Sequence, residues 1–263
     1  FQHGATGVLI GGCTGEFWAL SFDERVRLIE MGVRHVAGRG TVLGGTGAVT
    51  AEETIRLSKA AEAAGCDGAL ILPPYFIRLS EDEVYAHFRT VDAEIDIPIV
   101  LYNIPGNAIN AIGPALASRL ADLQQVVAIK ESSGDWNNFY TTLLAVHKKI
   151  RVFCGPSSIF GVPAHAAGAD GFIDCFPNLW LPGGLDLWHV AAAGHAAEAQ
   201  ALQVVGRRLT DLFTTEGRSL YPATKAAMTA LGYKAGDPRP PLQATTGDAL
   251  DGLHRGLAEL NIL

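Results

Sequence analysis

Two residues of the chain have the types and positions that amine catalysis needs. Lys130 follows the apolar residues 126–129, and Tyr102 stands at the end of an earlier apolar run. An ammonium group at the end of a buried strand is costly to desolvate unless it is paired or its pKa falls. A fall from about 10.4 to about 7–8 makes lysine a nucleophile near neutral pH, and a nearby tyrosine can move protons. The alternatives are a buried ion pair for Lys130, for example with Glu16, and a packed aromatic role for Tyr102.

The segment 11–16, Gly-Gly-Cys-Thr-Gly-Glu, has the composition of a small anion-binding turn. Its glycines allow backbone N–H groups to turn inward, and Thr14 adds one hydroxyl, so the turn suits a carboxylate. The alternative is a tight turn in which glycine serves the backbone geometry alone.

Composition and motifs exclude several classes of function. The chain has 263 residues with 27 acidic and 20 basic side chains, and its net charge of −7 argues against nucleic acid or anionic membrane as the main partner. No apolar run approaches the ~20 residues that span a bilayer. The four cysteines lack disulfide or zinc spacing, and the eight histidines lack paired metal-ligand spacing. We therefore expect a soluble, cytoplasmic protein without a metal site.

Short apolar runs alternate with helical patterns over the first 180 residues, which is typical of a parallel α/β sheet. The predicted strands are 7–12, 41–45, 68–73, 98–103, 126–131, 151–155 and 171–176. The predicted helices between them are 23–38, 51–65, 80–93, 113–121, 135–148 and 157–168, with N-caps at Asp23, Thr50, Ser80 and Asp135. Four more helices are predicted at 181–193, 195–213, 221–231 and 247–260.

This alternation favours a closed or nearly closed barrel over residues 1–180, followed by the four helices of 181–263. Seven strands are one fewer than a closed barrel requires. An open nicotinamide-binding sheet is the weaker alternative, because segment 11–15 lacks the spacing of GxGxxG. The active site of a barrel lies at the C-terminal ends of its strands, where Lys130 and Tyr102 both fall.

Three segments resemble, in order and spacing, the signatures of the dihydrodipicolinate synthase/N-acetylneuraminate lyase family. They are segment 11–16, Tyr-Asn-Ile-Pro-Gly at 102–106, and Ile-Lys-Glu-Ser-Ser-Gly-Asp at 129–135. The resemblance runs from about residue 4 to the C-terminus. It implies a TIM (β/α)₈ barrel over residues 1–180, with the last barrel helix and a C-terminal helical extension over 181–263. It also implies a homotetramer and class I aldolase chemistry that requires no metal and no organic cofactor.

The resemblance also implies roles for individual residues. Lys130 forms a Schiff base with C2 of pyruvate or another 2-oxo acid, and Tyr102 relays protons to the carbinolamine and to the oxygen of an aldehyde partner. Thr14 and the backbone around Cys13 bind the carboxylate. Two further positions border the pyruvate pocket through backbone groups, namely Gly155 and Ile173.

At three positions the chain departs from dihydrodipicolinate synthases. Cys13 replaces a threonine and Phe76 replaces a second relay tyrosine, while Asn107 replaces an arginine that binds the second substrate. None of the three replaces the lost group chemically. Asn107 remains a candidate for binding substrate. A further set of positions is closer to sugar-acid branches of the family such as the 5-dehydro-4-deoxyglucarate dehydratases: Phe17, Leu20, 73–75 and the pair Asn107-Ala108. Those branches usually depart from the Tyr-Asn-Ile-Pro that this chain keeps at 102–105.

The leading hypothesis is therefore a Schiff-base lyase that cleaves or forms a 4-hydroxy-2-oxo acid, such as a 2-keto-3-deoxy sugar acid. A sugar-acid dehydratase and a 4-hydroxy-tetrahydrodipicolinate synthase are alternatives with the same covalent chemistry. A non-catalytic binder of 2-oxo acids is the alternative from another class, because Cys13 and Phe76 weaken the proton relay.

The N-terminus begins close to the first predicted strand. Members of the family carry about one further strand and helix before the turn at 11–16, and residues 1–4 resemble the last turn of that helix. We expect the barrel to lack its first strand and most of its first helix in this chain. Unpaired edges would then make the 263-residue chain prone to aggregation.

Overall fold

Seven parallel strands, paired in the order in which they occur along the chain, form one sheet. A computed structural model describes residues 1–263. The strands are β1 (Gly7–Ile10), β2 (Thr41–Gly45), β3 (Gly68–Ile71), β4 (Ile99–Asn103), β5 (Val126–Glu131), β6 (Arg151–Cys154) and β7 (Gly171–Phe172). The seven predicted strands are confirmed, and parallel pairing in chain order is what successive strand–helix–strand units produce.

Helices follow the strands along the chain. They are α1 (Phe22–Val36), α2 (Ala51–Ala64), α3 (Glu81–Asp92), α4 (Pro105–Ala108), α5 (Pro114–Leu120), α6 (Trp136–Val146) and α7 (Ser157–Ala167). The predicted caps Thr50, Ser80 and Asp135 are confirmed at the starts of α2, α3 and α6. The short helix α4 is not among the predicted helices, because it has a single turn and too few residues to show helical periodicity.

The predicted N-cap of α1 at Asp23 is wrong. Ser21 caps this helix: its Oγ accepts the Glu24 N–H at 3.3 Å, and the Glu24 carboxylate accepts the Ser21 N–H at 2.9 Å. This reciprocal capping box satisfies two backbone donors at once, whereas an aspartate two residues later lies inside the first turn.

The two edge strands are β1 and β7, each with one neighbouring strand. All residues of β3 and β4 are buried, whereas those of β1 are half-buried. β7 has two residues and is shorter than the predicted strand 171–176. The chain turns at Asp174, whose carboxylate accepts the N–H groups of Cys175 at 2.6 Å and Phe176 at 3.5 Å. A further strand ahead of residue 1 stays a prediction.

The four predicted C-terminal helices are confirmed as α8 (Gly183–Ala192), α9 (Ala196–Thr214), α10 (Leu220–Ala230) and α11 (Gly247–Glu259). They enclose an apolar core in which the rings of Phe176 and Phe213 meet edge to face at 5.3 Å. The remaining buried members of this core are Leu179, Trp180, Leu209, Ala223, Ala227, Leu253 and Leu257.

The chain divides into two compact units. The first comprises Phe1–Pro156 and Ala166–Ile173 and contains the sheet, and the second comprises Ser157–His165 and Asp174–Leu263. The boundary between barrel and extension at residues 180 and 181 stays a prediction.

Three general features of the structure bear on membranes, metals and disulfides. None of the helices combines the length and the apolar character that crossing a membrane requires. No group of three or more His, Cys, Asp and Glu side chains is arranged to hold a metal ion. None of the four cysteines forms a disulfide bond.

His87 on α3 is expected to make the stability of the fold depend on pH. Its Nε2 is buried without a hydrogen-bond partner, and burial lowers its pKa from 6.5 to about 4. Because the folded pKa lies below the unfolded one, the unfolded chain binds the proton first as the pH falls, and stability is lost from pH 6.5 towards pH 4. We predict that wild type loses up to about 3 kcal/mol of unfolding free energy over this range relative to His87→Gln.

Chemical denaturation of both proteins at several pH values measures this difference. His35→Gln on the exposed side of α1 is the matched control and should keep the wild-type pH dependence. Equal pH dependence in wild type and His87→Gln would show that His87 does not couple folding to protonation.

Candidate active site

Lys130 and Tyr102 occupy matching positions on two neighbouring strands. They are register partners in the pairing of β4 with β5, so their side chains leave the same face of the sheet. The Lys130 Nζ lies 4.4 Å from the centroid of the Tyr102 ring. Both residues are buried, with 8% and 4% of their surface exposed. The structure thus brings together the two predicted catalytic residues at the C-terminal edge of the sheet.

The Tyr102 ring is suited to a positive charge on the Lys130 nitrogen. The face of an aromatic ring attracts a cation within about 6 Å, and the attraction is stronger where water is excluded. A lysine that forms a protonated imine keeps its positive charge on the same nitrogen. The ring can therefore stabilise the positive charge of a protonated imine at this nitrogen. An ion pair between Lys130 and Glu16 stays the alternative.

Polar side chains also cross-link these two strands on their opposite face. Asn103 and Glu131, the next residues of β4 and β5, are register partners and fully buried. The Asn103 Nδ2 donates to the Glu131 Oε1 at 2.8 Å, and the Asn103 Oδ1 accepts the Ile112 N–H at 2.8 Å. The same Oε1 accepts the Ser133 N–H at 3.0 Å and the Asn138 Nδ2 at 3.1 Å.

The second oxygen of the Glu131 carboxylate, Oε2, is buried and has no hydrogen-bond partner. Burial raises the pKa of Glu131, and the hydrogen bonds from Ser133, Asn103 and Asn138 act in the opposite direction. A buried carboxylate oxygen without a partner is unfavourable for folding. An apolar residue would fill this buried position at a lower cost in folding free energy, so the glutamate calls for another explanation.

Ser132 is the first residue after β5, two positions beyond Lys130, and its N–H donates to the Asn103 carbonyl at 2.7 Å. Its hydroxyl is buried and has no hydrogen-bond partner. Gly155, just after β6, leaves the space for this hydroxyl, since a Cβ at Gly155 would overlap the Ser132 Oγ. The predicted pocket residue Gly155 is therefore also a packing requirement of Ser132.

The N–H groups of Gly155 and Ile173 are used within the sheet. Gly155 donates to the Glu131 carbonyl at 2.8 Å, and Ile173 donates to the Cys154 carbonyl at 3.0 Å. Any backbone contact of these two residues with a ligand would thus be made by their carbonyl groups.

Segment 11–16 folds as a short 3₁₀ turn after β1. The N–H groups of Gly15 and Glu16 donate to carbonyls inside the turn. The N–H groups of Cys13 and Thr14 lie at the N-terminal start of this turn. This geometry is compatible with the predicted carboxylate contacts of Cys13 and Thr14.

The turn and Tyr102 border one small cavity. Its lining residues are Gly11, Gly12, Cys13, Phe17, Arg25, Gly45, Gly47, Leu70, Leu72 and Tyr102. Gly45 allows β1 and β2 to converge here, since a Cβ at this position would overlap the carbonyl oxygen of Gly11. Cys13 and Tyr102 therefore face the same space.

Arg25 is the charged residue of this cavity. Its Nη2 donates to the carbonyls of Gly45 at 2.8 Å and Gly47 at 2.9 Å, and its guanidinium lies 5.0 Å from the centroid of the Phe17 ring. The side chain is buried, its Nε has no partner, and burial lowers its pKa. Arg25 thus ties the loop after β2 to helix α1.

The loop after β3 presents Tyr75 and Phe76. Phe76 adopts a positive φ of 76° and is 92% exposed. Asn110 holds this loop: its Nδ2 donates to the carbonyls of Pro74 at 2.6 Å and Ile77 at 2.8 Å. Burial raises the pKa of Tyr75, and the Arg25 guanidinium acts in the opposite direction.

Asn107 is exposed on α4, and its role in binding substrate stays a prediction.

Sequence reasoning missed three features of this site. Arg25 lies on the apolar face of α1, three residues after Phe22 and four before Ile29. A charged residue at this spacing is predicted to be buried, which could have identified Arg25 from the sequence. Asn103 and Glu131 each follow a predicted catalytic residue at the end of an apolar run, which the pairing register turns into a contact. The Ser132 hydroxyl gave no signal, because its burial depends on Gly155, which is distant in sequence.

The whole chain is similar in sequence to one family. The model of the "Dihydrodipicolinate synthetase family" matches residues 1–260. A 4-hydroxy-tetrahydrodipicolinate synthase of Listeria monocytogenes serotype 4b is 32% identical over 263 residues, covering 98% of this chain and 88% of its own length. The synthase of the same name from Bacillus subtilis is 29% identical over 261 residues, covering 98% and 89%.

Solved structures agree with these sequence matches. A chloride-inhibited dihydrodipicolinate synthase from Acinetobacter baumannii, complexed with pyruvate, has a TM-score of 0.92 at 27% identity and covers 100% of this chain and 89% of its own. YagE, a prophage protein of the dihydrodipicolinic acid synthase family from E. coli K12 in complex with pyruvate, has a TM-score of 0.93 at 26% identity, with the same coverage. This chain belongs to the dihydrodipicolinate synthetase family, whose members are lyases that use a lysine Schiff base with pyruvate.

Proposed function

We propose that this chain forms or cleaves the C3–C4 bond of a 4-hydroxy-2-oxo acid, with pyruvate as one partner and Lys130 as the Schiff-base residue. The observation that carries the proposal is the buried contact of the Lys130 Nζ with the Tyr102 ring at 4.4 Å. Two similar proteins whose structures contain pyruvate support the choice of that partner.

The reaction follows from a nucleophilic amine beside a proton carrier. The Lys130 amine adds to C2 of pyruvate, and the carbinolamine loses water to leave a protonated imine. Loss of a proton from C3 gives an enamine, whose C3 attacks the carbonyl carbon of the aldehyde. The aldehyde oxygen takes up a proton, and water then hydrolyses the imine, which releases the product and restores the amine. The Tyr102 hydroxyl carries protons to the carbinolamine and to the aldehyde oxygen.

The substrate carboxylate binds at the turn 11–16 in this proposal. The N–H groups of Cys13 and Thr14 and the Thr14 hydroxyl are its donors, which matches a carboxylate's need for several hydrogen bonds. We assign Gly155 and Ile173 to the border of the pyruvate pocket through their carbonyl groups, although neither lines the small cavity at the turn. This arrangement orients C2 of the oxo acid towards the Lys130 amine.

Synthesis of 4-hydroxy-tetrahydrodipicolinate is the second candidate, because the similar sequences carry that name. Three positions argue against it. Cys13 and Phe76 have no hydroxyl where the resemblance implies a threonine and a relay tyrosine, and Asn107 has no guanidinium where it implies an arginine.

A dehydratase would form different products from the lyase, and a non-catalytic binder would form none. A sugar-acid dehydratase would remove water from the imine and keep the carbon count of its substrate. A non-catalytic binder would be stabilised against thermal unfolding by pyruvate without turning over any oxo acid. Mass analysis of products from 2-keto-3-deoxy sugar acids, and from pyruvate with aldehydes, separates the dehydratase and the binder from the lyase.

We predict that borohydride reduction in the presence of pyruvate attaches the pyruvate carbons to Lys130 and that Lys130→Ala abolishes the adduct and turnover. The reason is that the imine needs this amine. Peptide mass mapping locates the adduct, and circular dichroism checks that the variant is folded. Lys59→Ala is the matched control, because Lys59 is an exposed lysine on α2. An adduct on another lysine, or none on Lys130, contradicts the proposal.

We predict that Tyr102→Phe keeps imine trapping but slows turnover by about 10²–10⁴-fold, since it retains the ring face and removes the hydroxyl. Tyr102→Leu removes both the aromatic ring and the hydroxyl, and it should also slow the trapping of the imine by borohydride. Steady-state rates and single-turnover trapping measure the two effects separately. Wild-type turnover in Tyr102→Phe would remove this residue from the proton relay.

We predict that Ser132→Ala raises the KM for a hydroxylated 2-oxo acid by about two- to tenfold, the value of one neutral hydrogen bond, and leaves the trapping of pyruvate unchanged. The Ser132 hydroxyl is buried without a partner in the protein, two residues after Lys130, and in our proposal it faces the substrate. Steady-state kinetics with a 2-keto-3-deoxy sugar acid tests this. An unchanged KM would mean that Ser132 does not contact the substrate's hydroxyl groups.

A further inference from the structure

One buried acidic group next to the proposed site has no part in the proposed reaction steps. Glu131 follows Lys130 on β5 and points to the opposite face of the sheet, because consecutive strand residues alternate. It is fully buried, and Asn103, fully buried as well, stands opposite it directly after Tyr102. Glu131 and Asn103 thus repeat, one position later, the pairing of the two proposed catalytic residues.

Asn103 and Glu131 bond to each other and to segments that follow β4 and β5 along the chain. Asn103 bonds to Glu131 at 2.8 Å and accepts the N–H of Ile112, in the segment before α5, at 2.8 Å. Glu131 accepts from Ser133 in the next loop at 3.0 Å and from Asn138 on α6 at 3.1 Å. A backbone hydrogen bond extends the pairing of β4 with β5 by one residue, because the Ser132 N–H donates to the Asn103 carbonyl at 2.7 Å.

This network is poorly suited to a role in stability alone. One carboxylate oxygen of Glu131 is left buried without a partner. Replacing buried ionic groups by apolar residues of similar size is often neutral or stabilising in proteins, so retention of such a group needs another reason. The geometry of the strand ends supplies one, because hydrogen bonds hold atoms at defined distances and apolar packing does so less strictly.

We propose that Glu131 and Asn103 are positioning residues, which hold the ends of β4 and β5 in register so that the Lys130 amine and the Tyr102 ring meet. This inference rests on the proposed Schiff-base function of Lys130. The positioning acts through hydrogen bonds accepted by Glu131 Oε1, and the charge of Glu131 is not used. An error of about 1 Å in the placement of a reacting group can cost about 10²-fold in rate.

The test measures the rate of imine formation by borohydride trapping with pyruvate, per folded chain and well below the melting temperature. We expect Glu131→Met to slow trapping at saturating pyruvate by about 10²-fold, with less than about threefold change in the pyruvate concentration that gives half the maximal rate. Glu131→Gln keeps an acceptor oxygen for the same three donors and should restore the rate to within about threefold of wild type.

Further variants separate positioning from a general loss of structure. Thr142→Val is the matched control, because Thr142 is fully buried on the same helix α6 and its hydroxyl has no partner. It should trap pyruvate at the wild-type rate. Asn138→Ala removes one donor to Glu131 and should slow trapping by about two- to tenfold if Glu131→Met fails to fold. Asn103→Leu combined with Glu131→Met should be no slower than either change alone, because the pair acts as one unit.

Three results would overturn the inference. They are wild-type trapping rates in Glu131→Met, multiplied effects in the double variant, and a shifted pH profile of trapping in Glu131→Gln, which would assign the effect to charge. A wild-type chain that traps no pyruvate would instead overturn the proposed function itself. The two failures are therefore distinguishable in one set of measurements.

Discussion

The pairing register of β4 with β5 is the constraint on which the candidate site depends. It sets Tyr102 opposite Lys130 on one face of the sheet and Asn103 opposite Glu131 on the opposite face. A shift of one residue would exchange the two faces, because side chains alternate along a strand. The contact of Lys130 with Tyr102 and the polar network of Asn103 and Glu131 are therefore two consequences of one alignment.

Several polar atoms around this alignment are buried without partners. They include the Nε of Arg25, the Oε2 of Glu131 and the hydroxyl of Ser132. Each such atom is unfavourable for folding. The other two are the Nε2 of His87 on α3 and the hydroxyl of Thr142 on α6. Arg25 and Glu131 bond to backbone groups, whereas the Ser132 hydroxyl contacts the substrate in our proposal.

Membership of the family defines the reaction class more closely than the substrate. The family's lysine Schiff base needs a lysine and a proton carrier, and we propose Lys130 and Tyr102 at the strand ends for these roles. In our proposal the second substrate is chosen by loop residues such as Phe76 and Asn107, since the same fold accommodates different loops. Phe76 is 92% exposed on a loop that Asn110 anchors, so this position is free to vary without disturbing the sheet.

The sequence by itself determined the order of strands and helices, three of the four predicted helix caps, and the positions of Lys130 and Tyr102, because periodicity and capping are local properties. It did not determine the Ser21 cap, the length of β7, or the roles of Arg25 and Glu131. Only the tertiary structure decided those, since burial, register and close approach depend on residues that are distant in sequence. The 4.4 Å contact between Lys130 and Tyr102 is the clearest case, because neither strand alone contains it.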